Sequence, residues 1–203
     1  MSSAAVPAPR ARYARGEGDR LRQDLLNAAA ELMARHGSIE AISLRAVARE
    51  AGVSPTAVYR HFDDHVDLLR EAVEFCWTNF RDSMQAGMDS SDDPFVAFRN
   101  TGEAYVDFAL TNRGQYRVLF SNRIDLGVEP TEVGLEAFQI LVDLVTAMLR
   151  ANGDDRDPAF VALQTHTWIH GIVDLWGGLP DMPWPDGPAL FDGLADTLRL
   201  VES

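Results

Sequence analysis

Between Ser43 and Leu69 the chain reads SLRAVAREAGVSPTAVYRHFDDHVDLL, and this stretch limits the possible folds more than any other. Ser43 is a good N-cap for a short helix over 44–51, which Gly52 stops. Ser54 opens a second over 55–61, with Pro55 at the first helical position, where its missing N–H costs nothing. Neither segment reaches the ~12–15 residues that an isolated helix needs in water, so both depend on a scaffold. The turn between them requires a residue that tolerates a positive φ, and Gly52 supplies it. Ala48 is small where the two helices must approach closely, and Val47, Val53, Val58 and Phe62 are spaced to pin the second helix across the first. The pair is a helix-turn-helix. Its second member exposes Thr56, Ala57, Arg60 and His61, with Tyr59 directed sideways. A helix displayed in this way fits a major groove about 12 Å wide.

Helical periodicity covers the rest. Leu21, Leu25, Ala28, Ala29, Leu32 and Met33 recur at steps of three and four, and Gly37 closes that segment. A long helix starts at Asp63 or Asp64 and runs through Leu68, Leu69, Val73, Phe75, Trp77 and Phe80. The loop DSSDDP at 89–94 divides the chain, and further helices are expected at 95–112, 114–122, 131–152, 158–177 and 188–201. No alternating run competes and no repeat appears. The expected fold is all-α with about nine helices: a three-helix helix-turn-helix head over 19–65 and a helical bundle over 66–203. Residues 1–18 lack apolar periodicity and read as a disordered arm. Its Arg10, Arg12 and Arg15 suit a solvated tail, and equally phosphate or minor-groove contacts.

A formal net charge of −13, from 18 cationic and 31 acidic residues, argues against a polyanionic partner. The distribution argues the other way. Residues 1–62 carry 9 arginines and 6 acidic residues, a balance of +3, whereas residues 63–203 carry 9 and 25, a balance of −16. The positive half coincides with the helix-turn-helix. Every cation is arginine, which excludes a P-loop lysine, a Schiff-base or PLP lysine and a kinase-type lysine. The single Cys76 excludes an intramolecular disulfide and suits a reducing cytosol; in a helical apolar pattern it reads as a buried, inert thiol. No run of 18 apolar residues exists, the best candidate being broken by Gln164, His166, His170 and Asp174. The N-terminus has no apolar h-region. A cytoplasmic protein without a membrane partner is expected.

The order A-x-x-A-G-V-S-x-x-x-x-Y-x-H-F, running from Ala48-Arg49-Glu50-Ala51-Gly52-Val53-Ser54 to Tyr59-Arg60-His61-Phe62, resembles the N-terminal domain of TetR-type (tetracycline-repressor-like) transcriptional repressors. The resemblance covers 21–69, including the following D-x-L-L, and a chain of about 200 residues with an all-helical remainder agrees with it. It implies a DNA-binding head and a body that senses a ligand and dimerises. Arg45 would reach a base edge or a neighbouring phosphate, and Thr56 and Ala57 would face base edges, thymine methyls included. Ser43, Ser54, Tyr59 and His61 would hold phosphates and fix the register. Arg60 is a further candidate contact, or a solvated charge. The family usually places lysine on a phosphate at the start of the fourth helix, where this chain has His65; a neutral imidazole donates one hydrogen bond and no charge. Pro55 also replaces a possible polar reader.

In the second half, Tyr105, Phe108, Tyr116, Phe120, Phe138, Met148, Trp168 and Trp176 are candidate pocket residues, although aromatics at helical spacing serve equally well as core. Trp168-Ile169-His170-Gly171 resembles the W-H-G signature of one TetR-type C-terminal subfamily, with Gly171 allowing close helix approach and His170 pointing inward. His166 and His170 have metal-pair spacing, but the glutamate of H-E-x-x-H is missing, so they read as structural or ligand-facing. Asp154, Asp155 and Asp157 lack the calcium-loop pattern and read as a loop starting the next helix. No metal or cofactor is implied. Leu190, Phe191, Leu194, Leu198 and Val201 form a stripe on the last helix that, with the preceding helix, could build a four-helix homodimer interface, or could pack only within one chain. Two heads would then read half-sites of a pseudo-palindromic operator about 34–36 Å apart.

The resemblance therefore implies a ligand-responsive, sequence-specific regulator, a repressor released from double-stranded operator DNA by a small apolar or aromatic effector. Ligand would move the long helix that starts near Asp63 and change the spacing of the heads. Two other readings are a small-molecule-binding helical protein with a vestigial head, and an enzyme. Retention of Gly52, Tyr59 and His61 speaks against the first. Against the second, no nucleophile elbow, paired carboxylate site or dinucleotide loop appears.

Overall fold

Aspartate before a helix, in two cases followed by proline, sets four of the helix starts among the described residues. The computed structural model describes residues 18–120, 132–179 and 181–200, and among them every regular element is a helix. These are α1 (Gly18–His36), α2 (Leu44–Glu50), α3 (Pro55–Val58), α4 (His65–Met88), α5 (Pro94–Thr111), α6 (Arg113–Phe120), α7 (Glu132–Ala151), α8 (Pro158–Gly178) and α9 (Gly187–Thr197). The expected arm up to residue 17, with Arg10, Arg12 and Arg15, lies outside the described residues; so do residues 121, 122 and 131 at two expected helix ends, and Val201. The Asp64, Asp93, Asp157 and Asp186 carboxylates accept from backbone N–H groups in the first turns of α4, α5, α8 and α9. Each such cap is worth about 1 kcal/mol. The loop with Asp154, Asp155 and Asp157 is thus a helix start, as its sequence indicates. No described helix is long and apolar enough to cross a membrane.

The helix-turn-helix has the expected parts with one shortening. Ser43 caps α2 by accepting from the Ala46 N–H, whereas Ser54 stands at the N-cap of α3 without a side-chain cap bond. Gly52, at φ +69°, ends α2: its N–H donates to Arg49 O and the Val53 N–H to Ala48 O. The expected helix over 55–61 is α-helical only to Val58. Beyond it the Arg60 and His61 N–H groups donate three residues back, to Ala57 O and Val58 O, and this tighter winding turns the chain towards α4. Val47, Ala48, Val58 and Phe62 are buried in a core shared with Leu25 and Met33 of α1 and Leu68 of α4. The Arg22 guanidinium covers the Phe62 ring at 5.7 Å and pairs with Glu71 of α4.

In the body, α4 packs against α5 and α7, α7 against α8, and α5 against α8 and α9. Leu190, Phe191 and Leu194 of α9 are buried within the chain, with the Phe191 ring edge-on to Phe98 at 6.3 Å. Of the two placements open to the stripe, a dimer interface or packing within one chain, these three residues take the second. The helix also ends early: the Leu200 N–H donates to Ala195 O and the Arg199 N–H to Asp196 O, a left-handed C-terminal cap that seats Leu200 in the core.

The head meets the body where α6 crosses the end of α1. A Cβ on Gly114 would lie 2.1 Å from Ala34 O and 2.3 Å from Met33 O, so only glycine permits this approach. Beside it the Gln115 Nε2–H donates to Ala30 O at 3.1 Å, a buried bond.

A Cβ added at Gly52 would meet nothing within 4 Å, so substitution there costs backbone strain alone. Gly52→Ala is expected to destabilise the protein by about 1–2 kcal/mol, seen as a lower denaturation midpoint with an unchanged slope.

Candidate nucleic-acid interface and ligand pocket

The outer face of the head follows from what its core takes in. With Val58 and Phe62 turned inward, α3 and the turn after it leave Thr56, Tyr59 and Arg60 exposed, the Tyr59 ring to 58%. Ser43, Arg45 and Ser54 are also exposed. Ala57 and His61 are only half-buried, Ala57 resting partly on the core. His65 has an engagement its sequence position does not announce: its Nε2–H donates to the Ile42 carbonyl.

In the body, α4, α5, α6, α7 and α8 converge on a nest of rings. Phe80 of α4 stands edge-on to Tyr105, Phe108 and Phe120 at centroid distances of 5.0, 5.2 and 5.6 Å. Phe120 meets His170 at 4.6 Å, and Phe138 meets His166 at 5.5 Å. A polar chain runs through these rings. The His170 Nδ1 is 2.6 Å from the Tyr116 hydroxyl, and its Nε2 is 2.9 Å from the Tyr105 hydroxyl and 3.1 Å from His166 Nε2. The chain is satisfied when Tyr116 O–H donates to Nδ1 and Nε2–H donates to the Tyr105 oxygen and His166. Burial and the neighbouring His166 push His170 down to about 4, with Asp174 opposing, and burial lowers His166 as well. Burial likewise pushes Tyr116 up to about 12 and raises Tyr105. At neutral pH all four groups are uncharged, so the site offers hydrogen bonds inside an aromatic wall.

Residues 25–72 match the family model for bacterial regulatory proteins of the tetR family, and residues 98–198 match the model for the tetracyclin repressor-like C-terminal domain. The chain belongs to the TetR family. It is similar in fold to a protein of unknown function from Rhodococcus sp. RHA1, at 28% identity and TM-score 0.75 over 90% of this chain and 96% of that one. It is also similar to the transcriptional regulator FadR from Bacillus subtilis, solved with stearoyl-CoA, at 16% identity and TM-score 0.68 over 87% and 96%. A third, a tetR-family regulator from Shewanella sp. PV-4, gives 20% identity and TM-score 0.63 over 86% and 95%. Ser43, Arg45, Ser54, Thr56, Ala57, Tyr59, Arg60, His61 and His65 all fall within the N-terminal TetR match, and the pocket candidates within the C-terminal one.

The TetR body brings together most of the pocket residues expected from sequence: Tyr105, Phe108, Tyr116, Phe120, Phe138, His166 and His170. Met148 is instead fully buried in α7. Trp168 lies on a different side of α8 from the two histidines, and Trp176 stacks on Trp184 at 5.7 Å. Trp77 and Phe80 also belong to the aromatic nest and were not among the candidates from sequence; their spacing of three on α4 was the available signal. Among the described residues, no three of His, Cys, Asp and Glu gather as a metal site. Gly171, expected at a close helix approach, has nothing within 4 Å of its Cβ position. Cys76 is buried against Met33, and its thiol is pushed up to about 12, as an inert core cysteine should be.

His170 binds its proton less readily folded than unfolded, where the ordinary value is 6.5. The unfolded chain therefore takes up protons first as the pH drops, and stability falls between about pH 6.5 and pH 4. His170→Asn should flatten that part of the stability–pH curve from chemical denaturation while leaving the curve above pH 7 parallel to the wild type.

Proposed function

We propose that the protein is a homodimeric repressor whose two heads (residues 19–65) read a pseudo-palindromic operator and whose bodies (66–203) take up a small apolar or aromatic effector that releases the DNA. The observation that carries the reading is the outer face of α3 and its following turn. A half-turn of apolar side chains holds it to the scaffold while Thr56, Tyr59 and Arg60 stay free beside Arg45. Such a surface has no use inside the monomer. It suits a groove, with Arg45, Thr56 and Ala57 at base edges and Ser43, Ser54, Tyr59, Arg60 and His61 on the backbone. Ser54 has an uncommitted hydroxyl, and Ser43, although it accepts from Ala46, keeps its O–H to donate. His65 is the weak member: its Nε2 is already engaged by the Ile42 carbonyl and is not open to a phosphate.

Dimerisation is supported by α8. Phe160, Leu163, Leu175 and Leu179 are each more than half exposed, and Thr167 and Gly171 continue the same side of the helix. Gly171, open in the monomer, would give a partner helix a place to cross closely. The interface so proposed is built mainly on α8, with the outer side of α9 as its flank.

Release follows from α6. Tyr116 and Phe120 face the aromatic nest, while Gly114 and Gln115 of the same helix hold α1. An effector that displaces the Tyr116–His170 bond shifts α6, and α1 with the head must follow. The effect on the operator equals the effector's difference in affinity between the two arrangements.

The test is binding of the purified protein to a duplex from its own upstream region, followed by fluorescence anisotropy over a salt series. Saturable binding that weakens steeply with salt is expected, with Arg45→Ala losing about tenfold or more. Sedimentation should show a dimer, and Leu163→Glu should give a monomer with weakened operator binding. Equal affinity for unrelated duplexes would instead favour the vestigial-head reading.

A further inference from the structure

Arg113 and Arg117 stand one turn apart on α6, and two like charges at that spacing repel. In a chain with 31 acidic residues and 18 cations, partners for them are plentiful. Three other arginines of the body have theirs: Arg81 holds Asp82 and Glu136, Arg99 holds Asp192, and Arg156 holds Asp154. Arg113, by contrast, donates to the Gly177 carbonyl at 3.2 Å, and neither it nor Arg117 forms an ion pair among the described residues. Both line a cleft of about 440 Å³ between head and body. Into it α1 brings Arg35 and His36, α6 brings Tyr116, and α8 brings Asp174, the one carboxylate among the described lining residues. Arg35 is committed to Glu50 by two hydrogen bonds, so the excess positive charge rests on α6.

Guanidinium forks match the oxygens of a phosphate, and two of them on one helix face form a ready clamp. The cleft's volume suits a small organic molecule rather than a lone carboxylate. We propose that this cleft binds the phosphate group of a small phosphate-bearing molecule, held by Arg113 and Arg117, with Arg35 and His36 of the head facing it. The site is separate from the aromatic nest, with Tyr116 between the two. It lies beside the Gly114 contact, where a bound anion would draw α1 and α6 together. The proposal stands on the arginine geometry and not on the operator reading, so each can fail alone. The rival role for Arg117 is structural, because its guanidinium lies against Gly37 at the end of α1, 3.3 Å from a Cβ position there.

The experiment is calorimetric titration of the full chain with inorganic pyrophosphate and, separately, with ADP, at matched ionic strength. Saturable binding of both probes is expected; tighter ADP binding points to an organic phosphate ester, and tighter pyrophosphate binding to a free anion. Arg113→Gln/Arg117→Gln should weaken binding at least tenfold. Arg150→Gln, which alters an exposed arginine on α7, should leave it unchanged. Arg117→Lys, which keeps the charge but loses the fork, should cost several-fold and serves if the double variant does not fold. The proposal is overturned if neither probe binds saturably or if Arg150→Gln loses as much. It is equally overturned if the double variant melts at a lower temperature yet binds both probes as the wild type does.

Discussion

The crossing of α6 over α1 is the contact on which the rest depends. Gly114 sits so close to the Met33 and Ala34 carbonyls that no side chain fits between them, and Gln115 adds a buried hydrogen bond to Ala30. Packed contacts of this kind do not deform smoothly; they hold or they slip. Because α6 also carries Tyr116 and Phe120 into the aromatic nest, pocket and head share one short rigid element. An eight-residue helix with two such duties has little freedom to satisfy one without the other.

Charge is arranged to the same end. The balance of −16 over residues 63–203 disfavours DNA on the body, whereas over residues 1–62 the arginines outnumber the acids. Within the head, Arg35 and Arg22 are spent on Glu50 and Glu71, bracing α1 against α2 and α4, while Arg45 and Arg60 stay exposed. With no lysine in the chain, guanidinium is the cation at every basic position apart from histidine. At the start of α4 stands His65, and the Ile42 carbonyl has already claimed one of its nitrogens.

The head was legible in the sequence because its constraints are local. Gly52 at positive φ, the Ser43 cap and the inward Val58 and Phe62 all follow from neighbours within a few positions. The aspartate-led helix starts were legible for the same reason. The pocket was legible in part: ring spacing identifies candidates, but only the bundle's crossing angles bring Phe80 in and leave Trp176 with Trp184. The α9 stripe shows the limit most plainly. An apolar face announces that it will be covered, not by what, and here Phe98 on α5 covers it. The Tyr105–His170–Tyr116 chain and the Gly114 crossing join residues far apart in sequence, beyond the reach of any periodicity.

If α6 joins the aromatic nest and the head into one mechanical unit, an event at the head is felt in the nest. Hydrogen–deuterium exchange with and without the cognate upstream duplex tests it most directly. DNA should change exchange not only in α2 and α3 but also in α6 and in the turn of α8 around His170. Changes confined to the head, with α6 and α8 exchanging at the same rates in both states, would contradict it.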